Sequence, residues 1–430
     1  MHIICRVRKM TGQDRLTVQG RYKKEKTMLY LGPLFDRANE KELLSLVTTG
    51  VPNAANRFQY NLISGLLAND VSPLRIVNVL PVGYFPRFCR KLFLKSRRWS
   101  LSGIPCHELG SINVPVLKQM QREAAARKIL RRLTEEDKEI LIYSTYLPFL
   151  RAVQGLDDSV KVTLIVADLP EYYDLGKTSG LRKTLRRINN NLIHKSLRRV
   201  DRFVLLTEQM KEPLQVGDRT YTIVEGICDS AELPGDDGNS APDAVKGILY
   251  TGGLHYRFGI KTLLDAFQML EDNDAELWLC GVGDAVPEIR ERAQKDSRIK
   301  YFGYLTVREV DERRKKAAVM INPRTNSGEY TKYSFPSKTM EYMLSGKPVI
   351  MYALDGMPAA YRDYLFVVPE DGAQALHDTI KKVLAMDEKE RRAFGLRAAQ
   401  FVAREKNPQV QAKRVIDLIK GTAPMDGQMS

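Results

Sequence analysis

The chain has 430 residues, a formal net charge of +15, 43% hydrophobic and 28% charged residues. That length suggests two or three domains around a sizeable core, and the composition excludes collagen, low-complexity disorder and a disulfide-stapled miniprotein. No apolar run reaches the roughly 18–20 residues of a membrane span, the basic start 1–28 lacks the apolar stretch of a secretory signal, and the five scattered cysteines form no CxxC pair; a reduced, cytoplasmic protein without structural zinc is expected.

Residues 1–27 are polar and basic and read as an extension. Met28–Leu31, followed by Gly32-Pro33, reads as the first buried strand. Gly50–Leu67 reads as a loop entering a helix with Phe58, Leu62 and Leu66 on its apolar face. Further buried strands are expected at 75–81, 139–143, 161–167 and 202–206, with helical patterns at 115–133 and 180–199. This alternation predicts an α/β domain with a parallel sheet over 28–228. Residues 229–246, rich in Asp, Gly, Pro and Ser, read as a linker. Beyond it, strands are expected at 247–251, 276–280, 299–302, 318–322, 348–352 and 365–368. Helices are expected at 260–270, 285–295, 306–317, 336–345 and 372–386, giving a second α/β domain over 247–405. Helix and loose tail follow over 406–430. Two doubly wound domains would place a ligand at the carboxyl ends of the strands, in the cleft between them.

The charge is lopsided. Residues 1–228 carry 38 bases and 22 acids, and the remainder 29 and 30. A basic amino-terminal half suits a polyanion: nucleic acid, acidic lipid or a phosphorylated substrate. The densest stretch, 84–100, has six bases, no acids and five aromatics (Tyr84, Phe85, Phe88, Phe93, Trp99), which suits an anionic membrane interface or a solvated basic face with a few core aromatics. The basic stretch 182–199 reads as a solvated helix face or a contact with lipid or a diphosphate-linked acceptor.

Val319–Tyr352 is the most informative segment: strand, long loop, helix, strand. Pro336 suits a first helical turn, Ser334 or Ser337 can cap free N–H groups, and Gly346 with Pro348 ends the helix. The helix N-terminus, with Lys338 in its first turn, is an expected anion site. Glu341, three residues on, suits a pair of sugar hydroxyls; the plain alternative is a capped helix with a surface Lys–Glu pair.

SFPSKTMEYMLSGKPVI (334–350) resembles the nucleotide-sugar segment of family-four glycosyltransferases of the GT-B fold, in the bacterial polysaccharide branch with a Phe-Pro-Ser-Lys variant. The resemblance spans about 28–405 and is strongest over 247–350. It implies two Rossmann-like domains facing a cleft and transfer of a sugar from a nucleotide donor, UDP- or GDP-linked, with retention and without a metal or other cofactor. Glu341 would bind the donor ribose, and Ser334, Ser337 and Lys338 would face the diphosphate. ILYTGGLHYRFGIKTLLDAF (248–267) resembles the family's Gly-rich turn, giving Gly252 and Gly253 as points of close donor approach. KYFGYL (300–305) resembles the turn lining the base pocket, pointing to Tyr304 and Leu305. The family's common first Glu falls on Tyr333, with Glu329 nearby; its Arg and Lys after the Gly turn fall on Gly253 and Phe258, with Arg257 and Lys261 as neighbours, Arg257 favoured. The strand and catalytic loop of the first domain match 162–174, which gives Asp168 as a positioning or charge-stabilising group, or else a turn cap. Asn53, Asn56 and Arg57 match the acceptor side.

The expected function is a retaining glycosyltransferase acting on a saccharide or lipid-linked saccharide in cell-surface polysaccharide biosynthesis, at the inner face of the membrane, with contact through 84–100 and no nucleic-acid partner. The alternatives are another GT-B enzyme, such as a sugar-nucleotide epimerase or phosphorylase, and a nucleic-acid-binding or non-catalytic scaffold. Asp272-Asn273-Asp274 reads as a turn, and the five histidines have no metal-ligand spacing.

Overall fold

A computed structural model describes residues 28–48, 51–71, 74–132, 138–172, 180–229, 245–326 and 328–422. The expected extension 1–27, most of the expected linker and the tail from 423 lie outside them.

The first sheet is built from β1 (Met28–Gly32), β2 (Leu74–Val79), β4 (Arg97–Leu101), β5 (Ile104–Leu109), β7 (Glu139–Tyr143), β8 (Lys161–Val166), β9 (Arg202–Leu205) and β10 (Thr220–Ile223); β3 (Phe93–Leu94) and β6 (Ser111–Ile112) pair apart from it. Its order is β10-β9-β8-β7-β1-β2-β5-β4, parallel throughout except at β4, which runs antiparallel to β5. The central strands are apolar runs because both their faces are covered. On one face lie α3 (Leu117–Leu130), α4 (Leu147–Ala152) and α5 (Leu181–Ser196); on the other lies α2 (Asn53–Ala68), with α1 (Glu40–Leu46) on the loop after β1.

The second sheet holds β11 (Lys246–Gly253), β12 (Ala275–Val282), β13 (Ile299–Gly303), β14 (Val319–Asn322), β15 (Val349–Tyr352) and β16 (Phe366–Val368), all parallel, in the order β13-β12-β11-β14-β15-β16. Helices α6 (Ile260–Gln268), α7 (Val286–Lys295) and α10 (Ala373–Leu384) pack on one face. On the other lie α8 (Val307–Lys316), α9 (Ser337–Leu344) and α11 (Glu388–Glu405). Local chemistry fixes the helix starts. Thr306 and Glu309 form a reciprocal capping box for α8, and Asp387 accepts two N–H bonds at the start of α11. Asp272 takes the Asp274 N–H and a 2.8 Å ion pair from Lys246, so the Asp-Asn-Asp triplet forms a turn.

Helix α12 (Pro408–Lys420) returns to the first domain, packing along α2. Asn407 caps it and Pro408 opens it. Gly65 allows the close approach, because a Cβ there would collide with the Pro408 carbonyl. Asn69 donates to Gln409 O at 2.8 Å.

The 84–100 segment is loop and turn as far as β3, with its bases largely exposed. It ends in β4, where Arg97 and Arg98 are both exposed and Trp99 is half-buried, and the Trp99 indole donates to Asn78 Oδ1 at 3.3 Å. Lys91 and Arg97 share Glu42, so part of the segment's charge is neutralised locally.

Candidate functional site

The carboxyl ends of β11 and β14 and the amino end of α9 meet on the cleft side of the second domain. Helix α9 is pinned at two points. Tyr342 O–H donates to Thr251 O at 2.9 Å and its oxygen accepts the Thr251 N–H at 2.9 Å. Asn322, at the end of β14, donates to Thr339 Oγ1 at 3.3 Å. These contacts fix the first turn of α9 against the Gly252–Gly253 turn. Gly252 has φ +139°, and a Cβ there would collide with Lys338 Nζ. Lys338 therefore lies over bare backbone. Burial lowers its pKa, with Glu341 opposing that shift.

Beside it stands Arg324, two residues past β14. Its guanidinium lies 4.7 Å from the Tyr330 ring centroid and 5.8 Å from that of Phe258, and its Nη2 donates to Ser334 Oγ at 3.4 Å. Its Nε is buried with no hydrogen-bond partner. Burial lowers its pKa and the nearby positive charge of Arg257 lowers it further. Arg257 itself is exposed, its guanidinium 4.9 Å from the Phe258 ring. Arg324 has no ion-pair partner among the described residues. Cations gathered in this way suit an anion.

The two serines expected to cap α9 do not do so. Pro336 is the N-cap residue and no side chain caps the helix. Ser334 lies in extended backbone three residues before the helix and donates to Tyr330 O, while Ser337 is the first helical residue and is exposed. The first N–H groups of α9 are thus left to a ligand or solvent.

Glu341 sits one turn along α9 with both oxygens engaged. Oε1 accepts from Arg57 Nη1 of α2 at 2.6 Å, across the cleft, and Oε2 accepts from Arg314 Nη2 of α8 at 3.2 Å. Tyr333, the position of the family's first Glu, stacks on Tyr172 of the first domain with ring centroids 5.6 Å apart, and Tyr172 O–H donates to Glu329 Oε2 at 3.2 Å. Burial and the Glu329 charge push the Tyr172 pKa up to about 12. Tyr304 is 80% exposed, whereas Leu305 packs on the core under α9.

On the first domain, Asp168 lies just past the carboxyl end of β8. Its side chain is open to solvent, but the surrounding walls remove enough bulk water to push its carboxyl up to about 6. It has no hydrogen-bond or ion-pair partner among the described residues, so it caps no turn there. Asn53 is exposed in the first turn of α2. Asn56 is spent: its Oδ1 accepts the Phe35 N–H at 3.1 Å and its Nδ2 donates to Phe35 O at 3.2 Å, holding the loop after β1. Its amide is a structural brace rather than a free acceptor-side group.

Sequence reasoning missed Arg324, Arg314 and Tyr172. Only Arg324 had a signal, a base directly following the strand VMIN.

Residues 245–386 match the family of group 1 glycosyl transferases. No curated protein matches the chain. Among solved structures, the chain is similar to sucrose-phosphate synthase from Thermosynechococcus elongatus (14% identity, TM-score 0.64, covering 92% of this chain and 99% of that one). It is also similar to Anabaena HepE in complex with UDP (13%, 0.60, 92% and 100%) and to the lipopolysaccharide outer core galactosyltransferase WaaB in its apo form (11%, 0.58, 92% and 99%). Likeness at this identity concerns the fold, which is GT-B: two Rossmann-like domains facing a cleft. The matched domain and that fold together define the chain as a glycosyltransferase of the GT-B class.

Proposed function

We propose that the chain transfers a sugar, with retention, from a nucleotide-sugar held by the second domain to a saccharide or lipid-linked saccharide held by the first, in the building of a cell-surface polysaccharide. The observation that carries this reading is the cluster of Lys338, Arg324 and Arg257 around the Gly252–Gly253 turn, where the missing Cβ of Gly252 lets the Lys338 amine lie against the backbone. The cations neutralise a diphosphate, and the free N–H groups of α9 face the same space. Glu341, one turn on, takes the ribose diol. UDP is favoured as the nucleotide because HepE, of the same fold, binds UDP. WaaB, a lipopolysaccharide galactosyltransferase of that fold, and the basic first domain favour a lipid-linked acceptor.

In the reaction the acceptor hydroxyl approaches the face from which the nucleotide departs. The bond from the acceptor oxygen to the anomeric carbon forms as the bond to the phosphate oxygen breaks, and the acceptor proton passes to the departing phosphate. Arg257, Arg324 and Lys338 stabilise the leaving diphosphate. Asp168, ionised above pH 6, stabilises positive charge developing on the sugar ring.

A thermal-shift panel of UDP, GDP, ADP and their sugars tests the donor site. A nucleotide at 100 times its dissociation constant stabilises by about 2.7 kcal/mol. One nucleotide is expected to shift the wild type and to lose its effect in Glu341→Ala; no shift with any of them overturns the donor site.

A further inference from the structure

In the helix layer α3–α4–α5, α4 and α5 follow β7 and β8, whose carboxyl ends face the cleft, α3 follows β5 through the short β6, and α4 packs against both its neighbours. The surface of this layer is unusual in two ways. On α5, Leu185 (56% exposed), Ile188 (50%) and Leu192 (38%) are spaced three and four residues apart and so form one apolar stripe in solvent. At the start of α3, Val116 (68%) and Met120 (61%) are also bare, and Phe93 (64%) pairs with Ile112, which precedes Val116 by four residues in the chain. Monomeric proteins rarely leave so many large apolar side chains together unless something covers them.

The charge around the stripe says what covers it. Residues 181–199 contain seven bases and no acid. Lys183, Arg187, Lys195 and Arg198 are exposed without an acid partner among the described residues. Arg87, Arg90 and Lys95 are exposed on the Phe93 side. We propose that the first turn of α3 and the exposed face of α5 dock on the surface of an anionic lipid bilayer, with the apolar stripe entering the headgroup boundary and the bases meeting lipid phosphates. A second copy of this chain would set like charges against each other across a twofold axis. Nucleic acid would use the bases but offers nothing to the leucines.

The docking face is braced to the cleft. Glu171 holds α5 twice: its backbone carbonyl accepts from Arg186 Nη2 at 2.6 Å, and its Oε1 lies 2.7 Å from His194 Nε2. The adjacent Tyr172 contacts Glu329 of the donor domain. Docking would therefore present the cleft mouth to the bilayer, where a lipid-linked acceptor resides. This last step rests on the proposed function; the docking itself does not.

Flotation of the full chain with phosphatidylcholine vesicles, with and without added phosphatidylglycerol, tests it. The wild type is expected to float with anionic vesicles and to be released by salt. Leu185→Gln/Ile188→Gln is expected to lower partition by about tenfold or more, and Arg187→Glu/Lys195→Glu to lower it similarly, since each base near an anionic surface is worth about fivefold. Met120→Gln serves as a second apolar variant should the double variant unfold. All five sites are surface positions outside the donor domain, so the UDP thermal shift should persist in each variant and separates failure of docking from failure of the donor site. No flotation of the wild type, or equal flotation of the apolar variants, overturns the proposal. So does a concentration-dependent dimer that the leucine changes dissolve without any vesicle binding.

Discussion

Arg57 Nη1 lies 2.6 Å from Glu341 Oε1, joining α2 of the first domain to α9 of the second across the cleft. With Arg314 on its other oxygen, Glu341 has no simple vacancy for a ribose diol. One guanidinium must yield, and Arg57, about half exposed, is the cheaper to displace; an exposed pair of this kind is worth about 0–1 kcal/mol. Arg57→Ala should therefore tighten UDP binding by about two- to fivefold while leaving the melting temperature nearly unchanged. Isothermal titration with UDP measures this, and weaker binding would mean that Arg57 touches the donor itself.

Arg324 should discriminate the diphosphate from the nucleoside. Charge-assisted hydrogen bonds contribute about 1.5–3 kcal/mol, so Arg324→Ala should weaken UDP binding by roughly ten- to a hundredfold and leave uridine binding unchanged. Equal loss for both ligands would locate Arg324 outside the phosphate region. Stability should hold or rise, because the variant removes a crowded cation whose charge burial already disfavours.

How much of this was legible in the sequence depends on the range of the interaction. Parallel strands such as Glu139–Tyr143 were legible because burial on both faces writes a continuous apolar run. The α9 helix was legible because its start and stop are local chemistry. The edge strand β4 was not, since only Leu101 of its five residues is buried and no alternating pattern is written into it. Nor was the return of α12 to the first domain, which depends on a glycine 343 residues before Pro408. In the site, Lys338 and Glu341 came from one motif and the Gly252–Gly253 turn from another, but the Arg57–Glu341–Arg314 bridge joins three distant segments, and nothing local marks Asn56 as bound to Phe35.

Asp168 couples catalysis to stability with opposite signs. Its carboxyl titrates at about 6 in the fold against 3.8 unperturbed. Between those values the folded state binds more protons than the unfolded one, so stability falls as pH rises through that window and the penalty is fully present above it. Asp168→Asn should then melt higher than the wild type at neutral pH, with the gap closing as pH falls toward 4. Turnover should drop on the order of a hundredfold, and the acidic limb of the wild-type rate profile near pH 6 should vanish. A variant that keeps that limb would place the titrating group elsewhere.

Gly65 carries the last prediction, which concerns assembly rather than chemistry. The α2 backbone meets Pro408 there, and an alanine methyl would strike the Pro408 carbonyl, a backbone atom that cannot swing aside. The α2–α12 contact also buries Ala412, Val415 and Ile416 with Leu62 and Leu66 in one core. Overpacking at such a site costs about 1–3 kcal/mol, so Gly65→Ala should lower the melting temperature by several degrees. Gly155→Ala, where a methyl would meet nothing, serves as the neutral control. Because α12 follows directly from α11 of the donor domain, displacing it loosens the covalent return between the domains. Gly65→Ala should therefore weaken the Arg57–Glu341 bridge as well, and combining it with Arg57→Ala should tighten UDP binding by less than the separate effects would together. Full additivity in that double-mutant cycle would show that α12 docks without setting the cleft.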